Sequence, residues 1–303
     1  MTFLDLNLDL DLDLDFDLDH AARLAVFPLA LAAFGLAGCD DVKKLSEREA
    51  AEEVDRIAPV VKADVEQIRA GVPAGAAKLA EKADADTISS DPALQKAIAQ
   101  SRAQVKELDT AKSTFFAMTD TTGKVLKSEA DLDLLAHHNV IAAFPTLQKA
   151  LDPASGTVEA FGEMTEMRGV KTGQDLAWVL AHPLKDAKGV KGLFITGWSF
   201  RKYAVFLDDQ ARRHLEAASA KAEKKTVPIV YVFIFKGTKA YGSPLLSADV
   251  NAQAIEGLDV LQKTSAGPYK GNIEITGHTF GVAAQRAPEL GADAAVVVLL
   301  SEI

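Results

Sequence analysis

Cysteine occurs once in 303 residues, at Cys39, and histidine only six times. A lone cysteine excludes intrachain disulfides, paired-cysteine zinc sites, cysteine-held iron–sulfur clusters and haem attached through C-x-x-C-H. No two histidines stand at H-x-x-x-H spacing. His137 and His138 are adjacent, so on a helix they point about 100° apart and make no chelating pair. No basic tract interleaved with aromatics is present, which makes nucleic acid a poor partner. G-x-S-x-G, P-loop, H-E-x-x-H and dinucleotide fingerprints are all missing, so no catalytic signature and no cofactor is called for. Glu163 and Glu166 near Arg168 are the nearest thing to paired carboxylates, and a solvated strand edge is their plainer account.

Long apolar runs are also missing. The uncharged stretch Leu24–Gly38 has fifteen residues and contains Pro28, short of the roughly 20 that span a bilayer. It matches the apolar core of a secretory signal, about 7–15 residues ending in small side chains. The residues Leu36, Ala37, Gly38 and Cys39 resemble the lipobox of bacterial lipoproteins. That resemblance implies cleavage before Cys39, acylation of its thiol and a lipid as the only membrane anchor. The alternative is a buried apolar helix with an incidental cysteine. Asp40 resembles the residue that retains lipoproteins in the inner membrane of enteric bacteria, so the expected location is the periplasmic side of the envelope.

The segment before the apolar run fits a signal badly. Residues 4–19 alternate Leu with Asp and place seven acids ahead of the first base, Arg23. The period of two is that of a strand, and an acidic ladder of this kind could bind calcium. A low-complexity extension or a cleaved n-region is the simpler reading. Without residues 1–38 the chain carries 36 acids and 32 bases, a net charge of −4 in place of −10. About 265 residues then remain, enough for two modest domains. An exported chain of that size can do without disulfide staples.

Residues 42–72 carry Val54, Ile57, Val61, Val65, Ile68 and Val72 at helical spacing, opposite a charged face. Pro59 is expected to kink or divide this helix, and Pro73 with Gly75 to end it. A second amphipathic helix is predicted over 91–110, with Pro92 at its first position. Both helices are expected to pack on a sheet, the alternative being a coiled-coil partner. The period then changes. Strand, turn and strand follow around Asp120–Gly123, then helical segments near 131–151. Strands are predicted at 157–167, 175–184 and 190–200, the last two joined through Gly189. After a helix over 201–223 the order repeats: a hairpin through Gly237, a helix near 248–264, and strands near 271–276, 279–286 and 294–302. This is a weak internal repeat, clearer in element order than in identity.

The stretches "FFAMTDTTGKVLKSE" and "LAHPLKDAKGVKGLFITGWS" (residues 115–129 and 180–199), preceded by long amphipathic helices, resemble the Cache domains. These are PAS-like sensor modules of bacterial extracytoplasmic proteins. The resemblance implies an α+β chain with a signal segment over 1–38, a lipidated helical region over 39–112, a first module over 113–200, a connecting helix over 201–226 and a second module over 227–303. Each module would be a central antiparallel sheet flanked by helices. The implied function is small-molecule sensing without catalysis, signalling through a separate membrane partner. The runner-up is an envelope scaffold whose N-terminal helices bind another protein. The Arg–Trp–Tyr pattern of the amino-acid-binding subgroup is absent, so that ligand class is not supported. Phe161, Arg168, Trp178, His182, Trp198 and Tyr203 form the candidate ligand-binding set. Trp178, Leu180 and His182 share one strand face, which with Arg168 or Lys171 nearby suits a small anionic or aromatic ligand. The alternative is that both tryptophans simply pack against the helices. Tyr231, Tyr241 and His278 are weaker candidates for a pocket in the second module.

Overall fold

A computed structural model describes residues 34–167, 175–223, 226–244 and 246–301. The Leu–Asp ladder and most of the signal-like segment lie outside the described residues, as do Arg168 and Lys171. Val42–Ile303 forms one compact unit and holds all of the described strands.

The chain opens on a single helix, α1 (Phe34–Lys82), with Pro59 and Pro73 inside it. The expected division at Pro59 and the expected end at Pro73 do not occur. Energetics decide the matter. Val54, Ile57, Val61, Val65, Ile68, Val72 and Leu79 are all essentially inaccessible, and burying seven such side chains contributes on the order of 10–20 kcal/mol. Each proline costs about 3 kcal/mol. Both prolines also lie on the exposed side, where water can serve the carbonyls they leave unpaired. Gly75 is not a helix breaker either. A Cβ there would lie 2.4 Å from Leu108 Cδ1 and 3.0 Å from Phe194 Cε1, so the glycine is a notch into which a neighbouring helix and strand fit.

Short helices α2 (Ala85–Ser89), α3 (Asp91–Ala103) and α4 (Lys106–Asp109) follow, the last two replacing the single helix expected over 91–110. The first sheet contains β1 (Phe115–Thr119), β2 (Val125–Ser128), β3 (Val158–Gly162), β4 (Ala177–Asp186) and β5 (Gly189–Ser199), all antiparallel, in the order β2-β1-β5-β4-β3. Between β2 and β3 only α5 (Val140–Ala143) and a 3₁₀ turn at Pro145–Leu151 are helical. His137 therefore sits in a turn with a left-handed φ of 70°, not on a helix as expected. The turn between β1 and β2 forms as its sequence predicts. Asp120 Oδ1 accepts from the backbone N–H of Thr122 and Lys124 and from the Thr122 hydroxyl, and Gly123 supplies the positive φ.

Helix α6 (Phe200–Lys221) leads to the second sheet: β6 (Val230–Lys236), β7 (Lys239–Tyr241), then α7 (Leu246–Glu256) and α8 (Val260–Lys263), then β8 (Tyr269–Ile275), β9 (His278–Arg286) and β10 (Ala294–Ser301). Its order, β7-β6-β10-β9-β8, is the order of the first sheet over again. The repeat legible in the element order is thus a repeat of topology.

One face of each sheet packs against the same long helix. Phe116, Trp178, Leu180 and Phe194 of the first sheet and Val232, Ile234, Val296 and Val298 of the second belong to one continuous core with the α1 stripe. Near its start α1 comes so close to the second sheet that a Cβ on Gly281 would sit 2.1 Å from the Ser46 carbonyl oxygen. The outward faces have separate cores: Phe115, Phe144, Val179 and Ile195 under the loops of the first module, and Phe233, Ile255, Val282 and Val297 under α7 and α8 of the second.

Candidate functional site

Three of the candidate ligand-binding residues meet around the α1 side of the first sheet. Trp178 and Trp198 are cross-strand partners on β4 and β5, with ring centroids 4.6 Å apart. Tyr203, on the first turn of α6, stacks on Trp198 at 4.1 Å and 9°. All three rings are at most 1% exposed. Trp178 Nε1 donates to Glu159 Oε2 at 3.0 Å, and Glu159 receives a two-pronged bond from Arg69 of α1 (2.6 and 2.8 Å). Arg69 also donates to the Glu289 carbonyl of the second module and lies 5.8 Å from the centroid of the Trp178 ring. Tyr203 donates its hydroxyl to Asp64 Oδ2 at 2.6 Å. Burial pushes the Tyr203 phenol well above its ordinary value, and the Asp64 carboxylate adds to that rise. The Asp64 carboxyl is itself raised by burial, with the Tyr203 hydrogen bond opposing. These groups tie strand, helix and second module together.

Trp178, Leu180 and His182 do share the α1-facing side of β4, as the period of two requires. His182 lies toward the end of that row, half-buried, and shares a 2.9 Å hydrogen bond between its Nδ1 and Thr157 Oγ1. Burial, helped by Lys185, lowers its pKa and favours the neutral ring. Phe161 packs edge-to-face on Phe200 and carries Lys236 Nζ of the second module 4.2 Å over its ring. Arg168 lies outside the described residues. The opposite face of this sheet, where loops cover it, buries Phe115, Phe144, Leu147, Met164 and Met167, beside a small cavity of about 80 Å³ lined by Phe115, Ser128, Leu135 and Met167. His138 pairs with Glu166 at 3.3 Å.

The second module is different. A cavity of about 580 Å³ opens between α6, the segment entering β6, and the loop after β7. Val205, Val227, Pro228, Ile229 and Pro244 make its apolar wall, while Asp208, Arg212, Glu216, Tyr231 and Ser243 supply its polar groups. Its size is within the roughly 300–1,000 Å³ of small-molecule sites. Asp208 is the deepest charge. It accepts from the Val232 backbone N–H at 2.5 Å, and the buried Ser243 hydroxyl lies beside it, near enough to help hold its charge yet short of good hydrogen-bond geometry. Burial outweighs both and raises the Asp208 carboxyl to about 6. Arg212 is drawn to Asp209 at 3.0 Å. Of the three weaker candidates, Tyr231 lines this cavity. Tyr241 is buried against Phe200, and His278 is exposed at the start of β9. A smaller cavity of about 210 Å³ also touches Pro228; in it His214 Nδ1 meets Glu53 Oε2 at 2.8 Å.

Sequence reasoning passed over Asp208 because an acid on an amphipathic helix ordinarily faces water. Its burial comes from the chain returning as β6, a tertiary event with no local signal. Among the described residues no three His, Cys, Asp or Glu side chains converge on a common point, and no helix is long and apolar enough to cross a membrane.

The raised Asp208 carboxyl has a stability consequence. Between its unfolded pKa near 3.8 and its folded value near 6 the native state binds more protons than the unfolded state. Stability from this group therefore falls as pH rises through that window. Asp208→Asn keeps an acceptor for Val232 and removes the charge. The variant should melt a few degrees higher than wild type at pH 8, with the gap closing by pH 4, in thermal unfolding followed by circular dichroism. A gap that does not depend on pH would refute this account.

No protein-family model and no curated protein sequence matches the chain. Solved structures do. The extracellular domain assigned to the histidine kinase vpHK1S-Z8 superposes with a TM-score of 0.54 at 9% identity, over 86% of this chain and 93% of that one. A domain assigned to a sensory box/GGDEF family protein from Vibrio parahaemolyticus gives 0.51 at 8% identity, over 86% and 97%. An extracellular ligand binding receptor from Desulfohalobium retbaense is matched over 82% of this chain with a TM-score of 0.47 at 11% identity; the chain spans 39% of that protein's length. At these identities the likeness speaks for the fold: a long helix with two antiparallel five-stranded sheets of PAS-like order.

Proposed function

We propose that this chain is an extracytoplasmic small-molecule-binding protein that senses rather than catalyses, anchored through a lipid on Cys39 and coupled to a separate membrane-bound signalling protein. One observation carries the binding claim: the second module keeps a cavity of about 580 Å³, of the size that small-molecule sites have. The two-module fold supports the reading, since it is shared with an extracellular domain assigned to a histidine kinase and a domain assigned to a sensory box/GGDEF family protein. The anchor and its periplasmic, inner-membrane placement rest on the lipobox-like Leu36–Cys39 and on Asp40.

The ties of the first module to α1 favour a second role for that part of the chain. With Trp178, Trp198 and Tyr203 locked against α1 and the opposite face packed with Phe and Met, it serves as a rigid support. On this reading Phe161, Trp178, Trp198 and Tyr203 couple the modules, and ligand binding belongs to α6 and β6.

A thermal-shift screen of metabolites against wild type and Val205→Trp tests the binding claim, because Val205 lines the cavity and is 45% exposed, so a larger side chain there can fill the space without disturbing the core. At least one compound should raise the melting temperature of wild type by a few degrees and leave the variant unmoved. No shift with any compound would overturn the reading. Anchoring is checked by fractionation: Cys39→Ala should leave the membrane pellet for the soluble fraction, and its retention there would sink the lipid claim.

A further inference from the structure

The cavity behind α6 has a definite chemical character. Its wall is aliphatic and continues outward in exposed Val205, Val227 and Ile229, enough apolar surface to hold a tail of several carbons. Its polar end is unbalanced. Asp208 and Glu216 both line it, and Arg212, the cation on the same helix, is already engaged by Asp209. Arg213, the next base, also pairs with Asp209. Around Asp208 the packed neighbours are Arg212 and Glu216 from its own helix, the Val232 N–H and Tyr231 from β6, and Ser243 from the loop after β7. None of the groups from β6 or that loop is a cation. A carboxylate drawn out of water is costly when the cation nearest it, Arg212, is engaged by another acid. The ligand that relieves this cost brings a positive charge and hydrogen-bond donors.

We propose that the cavity binds an amphipathic organic cation, a primary amine or related ammonium with a short aliphatic or aromatic tail, whose charged end pairs with Asp208 and whose tail lies against Val205, Val227 and Ile229. The proposal rests on the reading of this cavity as the binding site. Burial raises the Asp208 carboxyl toward neutral pH in spite of Ser243, the Val232 N–H and the charge of Arg212, and a bound ammonium would lower it.

The test compares three probes of equal length on the full chain by titration calorimetry at pH 7.5: n-hexylammonium, n-hexanol and n-hexanoate. Hexylammonium should bind about tenfold or more tightly than hexanol, the margin expected of a charged hydrogen bond, and hexanoate should bind most weakly. Asp208→Asn should erase the preference for the ammonium while leaving hexanol binding unchanged, with circular dichroism verifying its fold. Arg212→Gln should preserve or strengthen it. At pH 5, with Asp208 largely protonated, the preference should shrink. Equal binding of hexanol and hexylammonium would overturn the cation assignment while the cavity reading stands. Tighter binding of hexanoate would overturn it in favour of an anion held by Arg212. No binding of any probe would overturn both.

Discussion

Everything in this fold depends on one buried stripe. Nine residues of α1, from Ala50 to Leu79, recur at intervals of three and four and are all at most 1% exposed. Neither sheet closes a core on that side without them. The first sheet buries its aromatic face against the later half of the helix, as the approach of Phe194 and Leu108 to Gly75 shows. The second reaches the helix near Ser46, where Gly281 admits the backbone. A sheet with one open apolar face is not stable alone, so both modules inherit their stability from one helix.

That shared core divides the labour between the modules. The first is fastened to α1 by Arg69–Glu159 and Tyr203–Asp64. Because Arg69 also reaches the Glu289 carbonyl and Arg201 pairs with Asp249 of α7 at 2.7 Å, the second module is fastened to the same frame. A cavity of about 580 Å³ lies beside α6, the helix joining the modules. Pro228 lines this cavity and also the smaller one where His214 meets Glu53 of α1. A ligand that moved the segment entering β6 would therefore press on contacts to the long helix, the element that runs toward Cys39.

Local chemistry was readable from the residues and tertiary chemistry was not. The Asp120–Gly123 turn, the hairpin through Gly189 and the repeated element order all follow from patterns a few residues long, and each forms. The prolines of α1 misled because their cost is local, whereas the burial that outweighs it comes from two sheets far along the chain. The tryptophans stood out as large aromatics on strands, and that same size makes them good core packing. Tyr231 was found by type alone. Asp208 was invisible, since its distinction is the apolar segment that folds back over it.

The central claim is that two modules share one core through α1, and native-state hydrogen exchange on wild type and Val61→Ala tests it most directly. The central strands β5 and β10 should exchange with the same free energy of opening, and the substitution should lower both together by about the 2–5 kcal/mol typical of larger core truncations or somewhat less. Separate levels of protection for the two sheets, or a loss confined to one of them, would contradict it.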